Sequence, residues 1–216
     1  MESIDTQVFY WINHHHSPLA DHVLWIASQG WSWAIVLVAV ICAVTLRKEP
    51  RRWWVVMIGI VLCFLLSDRI SVMVFKDVFC RLRPCHALDS VRMYNTSCGG
   101  LYGFVSSHAA NVCALAMFFA LRYRKKLQPG WVLPVLMFGW AALVCYSRPY
   151  LGKHYPGDVV CGGFSESLWA PSFFSSCNLL KISIHPLWNE KKMHNNETFF
   201  CFLRLYECAY LFQRCI

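Results

Sequence analysis

Charge is what this sequence has least of. Asp, Glu, Lys and Arg make up 15% of the 216 residues, where soluble domains carry roughly a quarter. A chain so poor in charge and 57% hydrophobic is not a disordered segment, a coiled coil or an ordinary soluble globule. Acids are the scarcer sign, 12 against 20 Lys and Arg, which leaves a net charge of +8 with His neutral. On a soluble protein that excess would suggest nucleic acid. In a chain this apolar it is better read as orientation in a bilayer and capture of anionic groups, so no nucleic-acid partner is expected. No Cys-x-x-Cys pair occurs among the 12 cysteines, which argues against a structural zinc site. No basic segment leads into an early apolar run. The chain opens MESIDTQ and its apolar run starts late, so no cleavable signal peptide is expected.

What is present is a series of long uncharged runs. The first, Val23 to Leu46, has 24 residues, enough for a helix to cross a hydrocarbon core. The second, Trp53 to Phe75, is interrupted near its end by Asp68 and Arg69. The third, Ser107 to Leu121, is shorter, and the fourth, Leu127 to Ser147, contains Pro134, which a membrane helix tolerates. Ahead of them the aromatic, His-rich N-terminus reads as an interfacial helix with a turn at His16-Ser17-Pro18. His14 to His16 do not by themselves make a metal site, which needs defined geometry and supporting partners. Arg47, Lys48, Arg51 and Arg52 follow the first span; Arg122, Arg124, Lys125 and Lys126 follow the third. Alternation puts both clusters on one side, and the positive-inside rule makes that side cytoplasmic. The segments 76–106 and 147–158 are then expected together on the opposite side. The fold class expected is an all-α integral membrane bundle of four to five spans, preceded by the interfacial helix.

Those two outer segments hold nearly all the unusual polar residues. KDVFCRLRP runs from Lys76 to Pro84. Lys76 and Arg83 are seven apart, so they share a face if the stretch is helical, with Pro84 ending it. In GFVSSHAAN, Ser106 or Ser107 suits the N-cap of the third span, and a helix N-terminus attracts anions. In SRPYLGKHYPGD, Arg148 offers a forked donor for phosphate oxygens. His154 and Asp158 are four apart, within reach of each other if a helix starts near Pro156. Singly, Lys76, Arg81 and Arg83 read as interfacial cations, and His108 and His154 as ordinary polar residues. Together, three cations, two histidines, one carboxylate and a helix N-terminus suit the binding and cleavage of a phosphate ester.

The three pieces resemble the signature of the type 2 phosphatidic acid phosphatase superfamily. Lys76 to Pro84 matches K-x-x-x-x-x-x-R-P in full. Ser147 to Asp158 matches every fixed position of S-R-x-x-x-x-x-H-x-x-x-D. The middle motif, P-S-G-H, reads Val105-Ser106-Ser107-His108, keeping Ser and His. Asp5, Phe9, Asn13, Ser17-Pro18 and Asp21 are similar to bacterial members. The resemblance covers residues 1–162. It implies His154 as nucleophile forming a phosphohistidine, Asp158 holding its other ring nitrogen, and His108 as general acid and then base. Lys76, Arg83, Ser106, Arg148 and the backbone N–H of Ser107 would hold the phosphate. No metal or cofactor is implied. Ser in place of Gly at 107 is harmless if that residue is helical and costly if it needs positive φ; the first is expected. The implied function is a membrane hydrolase removing phosphate from a lipid phosphate or diphosphate at the extracytoplasmic face of a bacterial cytoplasmic membrane. Undecaprenyl diphosphate is the first substrate expected, with phosphatidate, phosphatidylglycerophosphate and lipid A as others. A lipid phosphotransferase, or an inactive relic or lipid-phosphate binder, are the alternatives.

Three cysteines, Cys80, Cys85 and Cys98, lie in the outer segment, where disulfides are permitted; a Cys85–Cys98 bridge would staple the loop between the first two motifs. After residue 162 the character changes. Where the resemblance implies a final membrane helix, the longest uncharged stretch is Ser167 to Leu180, 14 residues with Pro171, Asn178 and four Ser, too short and polar for a span. Residues 163–216 are therefore expected to be an atypical tail. It is either packed on the membrane surface or, the reading preferred, the product of a changed reading frame near the codons for Cys161 to Phe164.

Overall fold

The computed structural model describes residues 3–51 and 53–166. The chain divides into two compact units, Met1–Ser175 and Ser176–Ile216, and the described residues all belong to the first. Regular structure among the described residues is helical, which agrees with the expected class.

Two short helices come first. Helix α1 (Ile4–His14) starts where the Ser3 hydroxyl accepts the Thr6 N–H (3.2 Å). The chain turns at residues 15–17, and α2 (Pro18–Ser28) begins with Ser17 accepting the Ala20 N–H and Pro18 in the first turn. The first apolar run is not one helix. It breaks at Gln29, whose extended backbone ends α2, and α3 occupies Gly30–Lys48 with a π-helical segment, Ile41–Thr45. Helix α4 starts at Trp53, is α-helical to Ile70, passes through a π segment (Ser71–Lys76) and closes at Asp77–Phe79. A single turn, α5 (Pro84–Ala87), is followed by a long irregular loop. Then come α6 (Ser107–Tyr123), α7 (Val132–Tyr150) and α8, residues 156–166. Helix α8 runs through Gly163 to Glu166, past the residue where the atypical tail is expected to begin; the rest of that tail lies outside the described residues.

Among the described residues three helices, α3, α4 and α7, are long and apolar enough to cross a membrane. They surround α6, the most buried helix, through a core that includes Trp33, Val56, Leu115, Phe119, Met137 and Val144. On their outer faces Ile35, Val38, Leu65, Val135 and Leu136 are exposed. Apolar side chains on both faces of a helix are what a lipid-facing span requires. The chain is an integral membrane helical bundle.

The basic loops after α3 and α6 meet. Glu49 pairs with both Arg122 and Lys126. These residues lie at the C-terminal end of α6, while the polar motifs gather at its N-terminal end. Seventeen residues of helix separate the two ends by roughly 25 Å.

Candidate active site

The first motif does not form one continuous helix ending at Pro84. Helix α4 stops at Phe79, and Cys80 takes a left-handed conformation (φ 45°). Residues 81–83 then run extended beside 101–103. Arg83 N–H donates to the Leu101 carbonyl (3.1 Å), and Gly103 N–H donates to the Arg81 carbonyl (2.8 Å). Pro84 opens α5 rather than closing α4. Lys76 and Arg83 therefore reach the site from opposite sides of a turn, not from one helix face. Cys85 and Cys98 are joined in a disulfide that closes the loop just after Arg83, with Cα atoms 5.9 Å apart.

Ser106 is the N-cap of α6, with its hydroxyl facing the Ala109 N–H, and its own N–H donates to the Asp158 carbonyl (3.0 Å). Ser107 is the first helical residue, so its Cβ meets no backbone penalty. Its hydroxyl also has a partner: Lys76 Nζ donates to it at 2.7 Å. The Ser that replaces the family's Gly thus binds one of the cations expected to hold phosphate. His108, one residue on, packs edge-on to Trp33, with ring centroids 5.2 Å apart.

Arg148 ends α7, buried at 2% exposure, and its Nε has no partner; the same is true of Arg83 Nε. A buried guanidinium nitrogen without an acceptor is costly unless a ligand supplies one. His154, beside Arg83, is 1% exposed. Arg83 Nη1 donates to His154 Nε2 (3.1 Å), and His154 Nδ1 faces the Gly103 carbonyl (2.9 Å). An arginine only donates and a carbonyl only accepts, so the proton belongs on Nδ1 and the lone pair on Nε2. Burial, reinforced by Arg148, Arg83 and Lys76, pushes the His154 imidazole well below its ordinary pKa. Gly103 can come this close only without a side chain, since a Cβ there would lie 3.1 Å from Asp158 Oδ2 and 3.2 Å from Arg83 Cγ.

Asp158 departs from its expected place. Its Oδ2 is 3.6 Å from His154 Nδ1, beyond a hydrogen bond, and the Gly103 carbonyl takes that position instead. The carboxylate is held elsewhere: Oδ1 accepts Arg81 Nη1 (2.8 Å) and Oδ2 accepts the Tyr155 N–H (3.1 Å). Arg81 reaches on to Asp5 of α1 (2.6 Å) and lies 4.1 Å over the Tyr155 ring. Asp5 in turn accepts the Gly157 N–H at the start of α8 (2.8 Å). The sequence carried a weak signal for Arg81, which shares a face with Arg83 once 81–83 is extended. For the Asp5 partnership, 76 residues away from Arg81, it carried none. Asp5→Ala should therefore lower kcat by about tenfold with KM little changed, because it removes one charge-assisted anchor of Asp158 and α8 without touching the phosphate cradle. Steady-state kinetics on the variant decide this; an unchanged kcat would mean the clamp is structural only.

The remaining N-terminal residues brace the end of α7. Asn13 donates to the Arg92 and Tyr150 carbonyls (2.9 Å each) and accepts the Arg92 N–H. Asp21 takes both Arg92 nitrogens (2.7 and 3.0 Å) and the Tyr150 hydroxyl (2.7 Å). The Arg92 fork holds the Asp21 carboxyl below the usual carboxylate range.

The site thus brings together Lys76, Arg83, Ser106, Ser107, Arg148, His154 and Asp158 at the N-terminal end of α6, with His108 in its first turn. Comparison with known proteins agrees with the architecture. The PAP2 superfamily profile matches residues 53–174. A protein of Porphyromonas gingivalis named lipid A 4'-phosphatase is 30% identical over 162 residues, 74% of this chain and 66% of that protein. A Bacteroides thetaiotaomicron protein of the same name is 32% identical over 166 residues, 75% of this chain and 72% of that one. The chain thus spans about two thirds of the length of these relatives. Among solved structures, the fold is shared with the PAP2-type phosphatidylglycerolphosphate phosphatase of Bacillus subtilis (TM-score 0.60, 21% identity, 83% of this chain and 85% of that one). It is shared also with LpxE of Aquifex aeolicus (TM-score 0.54, 20% identity, 78% and 93%).

Proposed function

The chain belongs to the PAP2 superfamily, and from that premise we propose that it is a membrane lipid phosphatase working through a phosphohistidine. The observation that carries this is His154: its Nε2 lone pair faces Arg83, and the buried Nε atoms of Arg83 and Arg148 lack partners. In the first step Nε2 attacks phosphorus and the P–O bond to the lipid breaks. The electron pair goes to the leaving oxygen, which takes a proton from His108. In the second, His108 takes a proton from water as the water oxygen attacks phosphorus, and the P–N electron pair returns to Nε2. Lys76, Arg83, Arg148 and the N–H groups at the start of α6 offset the charge on the equatorial oxygens. The Gly103 carbonyl keeps the proton on Nδ1, and Asp158 stabilises the imidazolium from 3.6 Å.

The names of the two bacterial relatives favour a lipid A phosphate monoester as first substrate, ahead of undecaprenyl diphosphate. With the two basic loops on the cytoplasmic side, the site faces outward. The test is phosphate release by detergent-purified protein from lipid A, phosphatidate, phosphatidylglycerophosphate and undecaprenyl diphosphate, each with and without EDTA. Release from lipid A that EDTA leaves unchanged is expected. Well-folded protein that releases nothing from any of them would sink the reading and favour a lipid-phosphate binder.

A further inference from the structure

One cation within the third motif stands at none of that motif's fixed positions. Lys153 lies between Gly152 and His154, half-buried. Its place is firmly set. Gly152 has φ +78°, and a Cβ there would come within 2.8 Å of the Arg92 carbonyl, so the turn before Lys153 is closely packed. The Lys153 N–H donates to the Arg148 carbonyl (3.0 Å). The side chain is held in the field of Arg148, Arg83 and His108.

The carboxylates of the neighbourhood are already occupied. Asp158 is taken by Arg81 and the Tyr155 N–H, Asp5 by Arg81 and the Gly157 N–H, and Asp21 by Arg92 and Tyr150. Among the described residues the Lys153 ammonium has no acceptor. Arg83 and Arg148 beside it each leave a buried Nε unpartnered. Donors of one sign that are partly out of water, with no acceptor among the described residues, favour an anion that joins them.

We propose that Lys153 is a further substrate-binding residue of this site, whose ammonium pairs with the second negative charge of a phosphomonoester dianion. The proposal rests on the phosphatase reading for its substrate but not for its anion. Burial, then Arg148 and Arg83, bring the Lys153 ammonium down to about 8. The free protein therefore loses this charge as pH rises through that value, and dianion binding weakens in the same range. The His154 imidazole is already neutral well below that range, and whatever Arg83 and Arg148 contribute persists in a variant at Lys153, so the variant isolates the lysine's limb.

The experiment measures inorganic phosphate binding by calorimetry and short-chain phosphatidate kinetics from pH 6 to pH 9.5 on the full chain in detergent, beside Lys153→Met and Lys153→Arg. Lys153→Met should raise the phosphate Kd and the KM about 10- to 100-fold, the loss of one charge-assisted contact, while kcat stays within about threefold. It should also flatten the fall in affinity above pH 8 seen in the wild type. Lys153→Arg, which keeps the charge, should retain most of the affinity and shift that fall to higher pH. Equal thermal midpoints would exclude misfolding. Wild-type Kd, KM and pH profile in Lys153→Met would overturn the proposal. Should none of the four lipid phosphates be turned over while phosphate binding still depends on Lys153, the phosphatase reading fails and this one stands.

Discussion

Replacing His154 with Ala should lower phosphate release by roughly 10⁴-fold or more, the scale seen when an enzyme loses its nucleophile. His154 makes two directional contacts, Nδ1 to the Gly103 carbonyl and Nε2 to Arg83, and no other described side chain presents a lone pair to the cradle in this way. The depressed pKa of the imidazole adds a second part to the expectation. A group whose pKa lies well below its ordinary value is already unprotonated in the neutral range, so activity should not fall through protonation of His154 as pH drops past 6.5. Inorganic phosphate should still bind the Ala variant, since the cations that hold it remain. Quenching the wild type in alkaline detergent during turnover should trap a base-stable, acid-labile phosphoryl-enzyme that the variant lacks. Residual turnover above about a hundredth of the wild type would move the nucleophile elsewhere.

Arg148→Ala should be nearly as damaging, by about 10²- to 10³-fold in kcat/KM, because it removes a preorganised charge aimed at the equatorial phosphoryl oxygens. Arg148→Lys should recover only part of this. A lysine offers a point charge where the buried guanidinium offers a planar fork, and cannot replace Arg83 and Arg148 acting as paired forks. Stability should move the other way. In the unliganded protein Arg148 is buried at 2% exposure, its Nε is unpaired and its charge faces Arg83. Removing the buried member of two neighbouring cations relieves repulsion, so the thermal midpoint of Arg148→Ala should equal or exceed that of the wild type without phosphate. Inorganic phosphate should raise the midpoint of the wild type far more than that of the variant. Loss of stability together with activity would mean that Arg148 holds the fold rather than the substrate.

Much of the fold could be read from the sequence because a bilayer makes simple demands. A span must be long and apolar, its backbone must satisfy itself, and basic loops gather on one side. The helices at Trp53 and Val132 and the gathering of the two basic loops at one end follow from those demands, while the pairing of Glu49 with Arg122 and Lys126 was added by packing. Boundaries were less legible. The uncharged run from Val23 divides at Gln29 because an extended cap residue and a following glycine interrupt it, and hydropathy does not register a change of direction between two apolar helices.

The site shows the same division. Spacing and residue type marked Lys76, Arg83, His108, Arg148 and His154, because phosphate chemistry calls for cations and imidazoles and the motifs carry them in order. Their partners were hidden. The Gly103 carbonyl that orients His154 belongs to the backbone and has no side-chain signature. The Arg81–Asp5 pair joins segments 76 residues apart. The Ser107 hydroxyl bound to Lys76 depends on how the end of α4 meets the start of α6.

A helical membrane protein with its unusual polar residues on one side is written into the chain itself, because length, hydropathy and charge are local properties. Which atom holds which was left to packing in three dimensions. Packing gave Nδ1 of His154 to a carbonyl rather than to Asp158, turned Asp158 toward Arg81, and left Lys153 without an acceptor among the described residues. Hydrogen bonds at about 3 Å depend on how separate segments come together, and nothing in a linear pattern specifies that to the ångström.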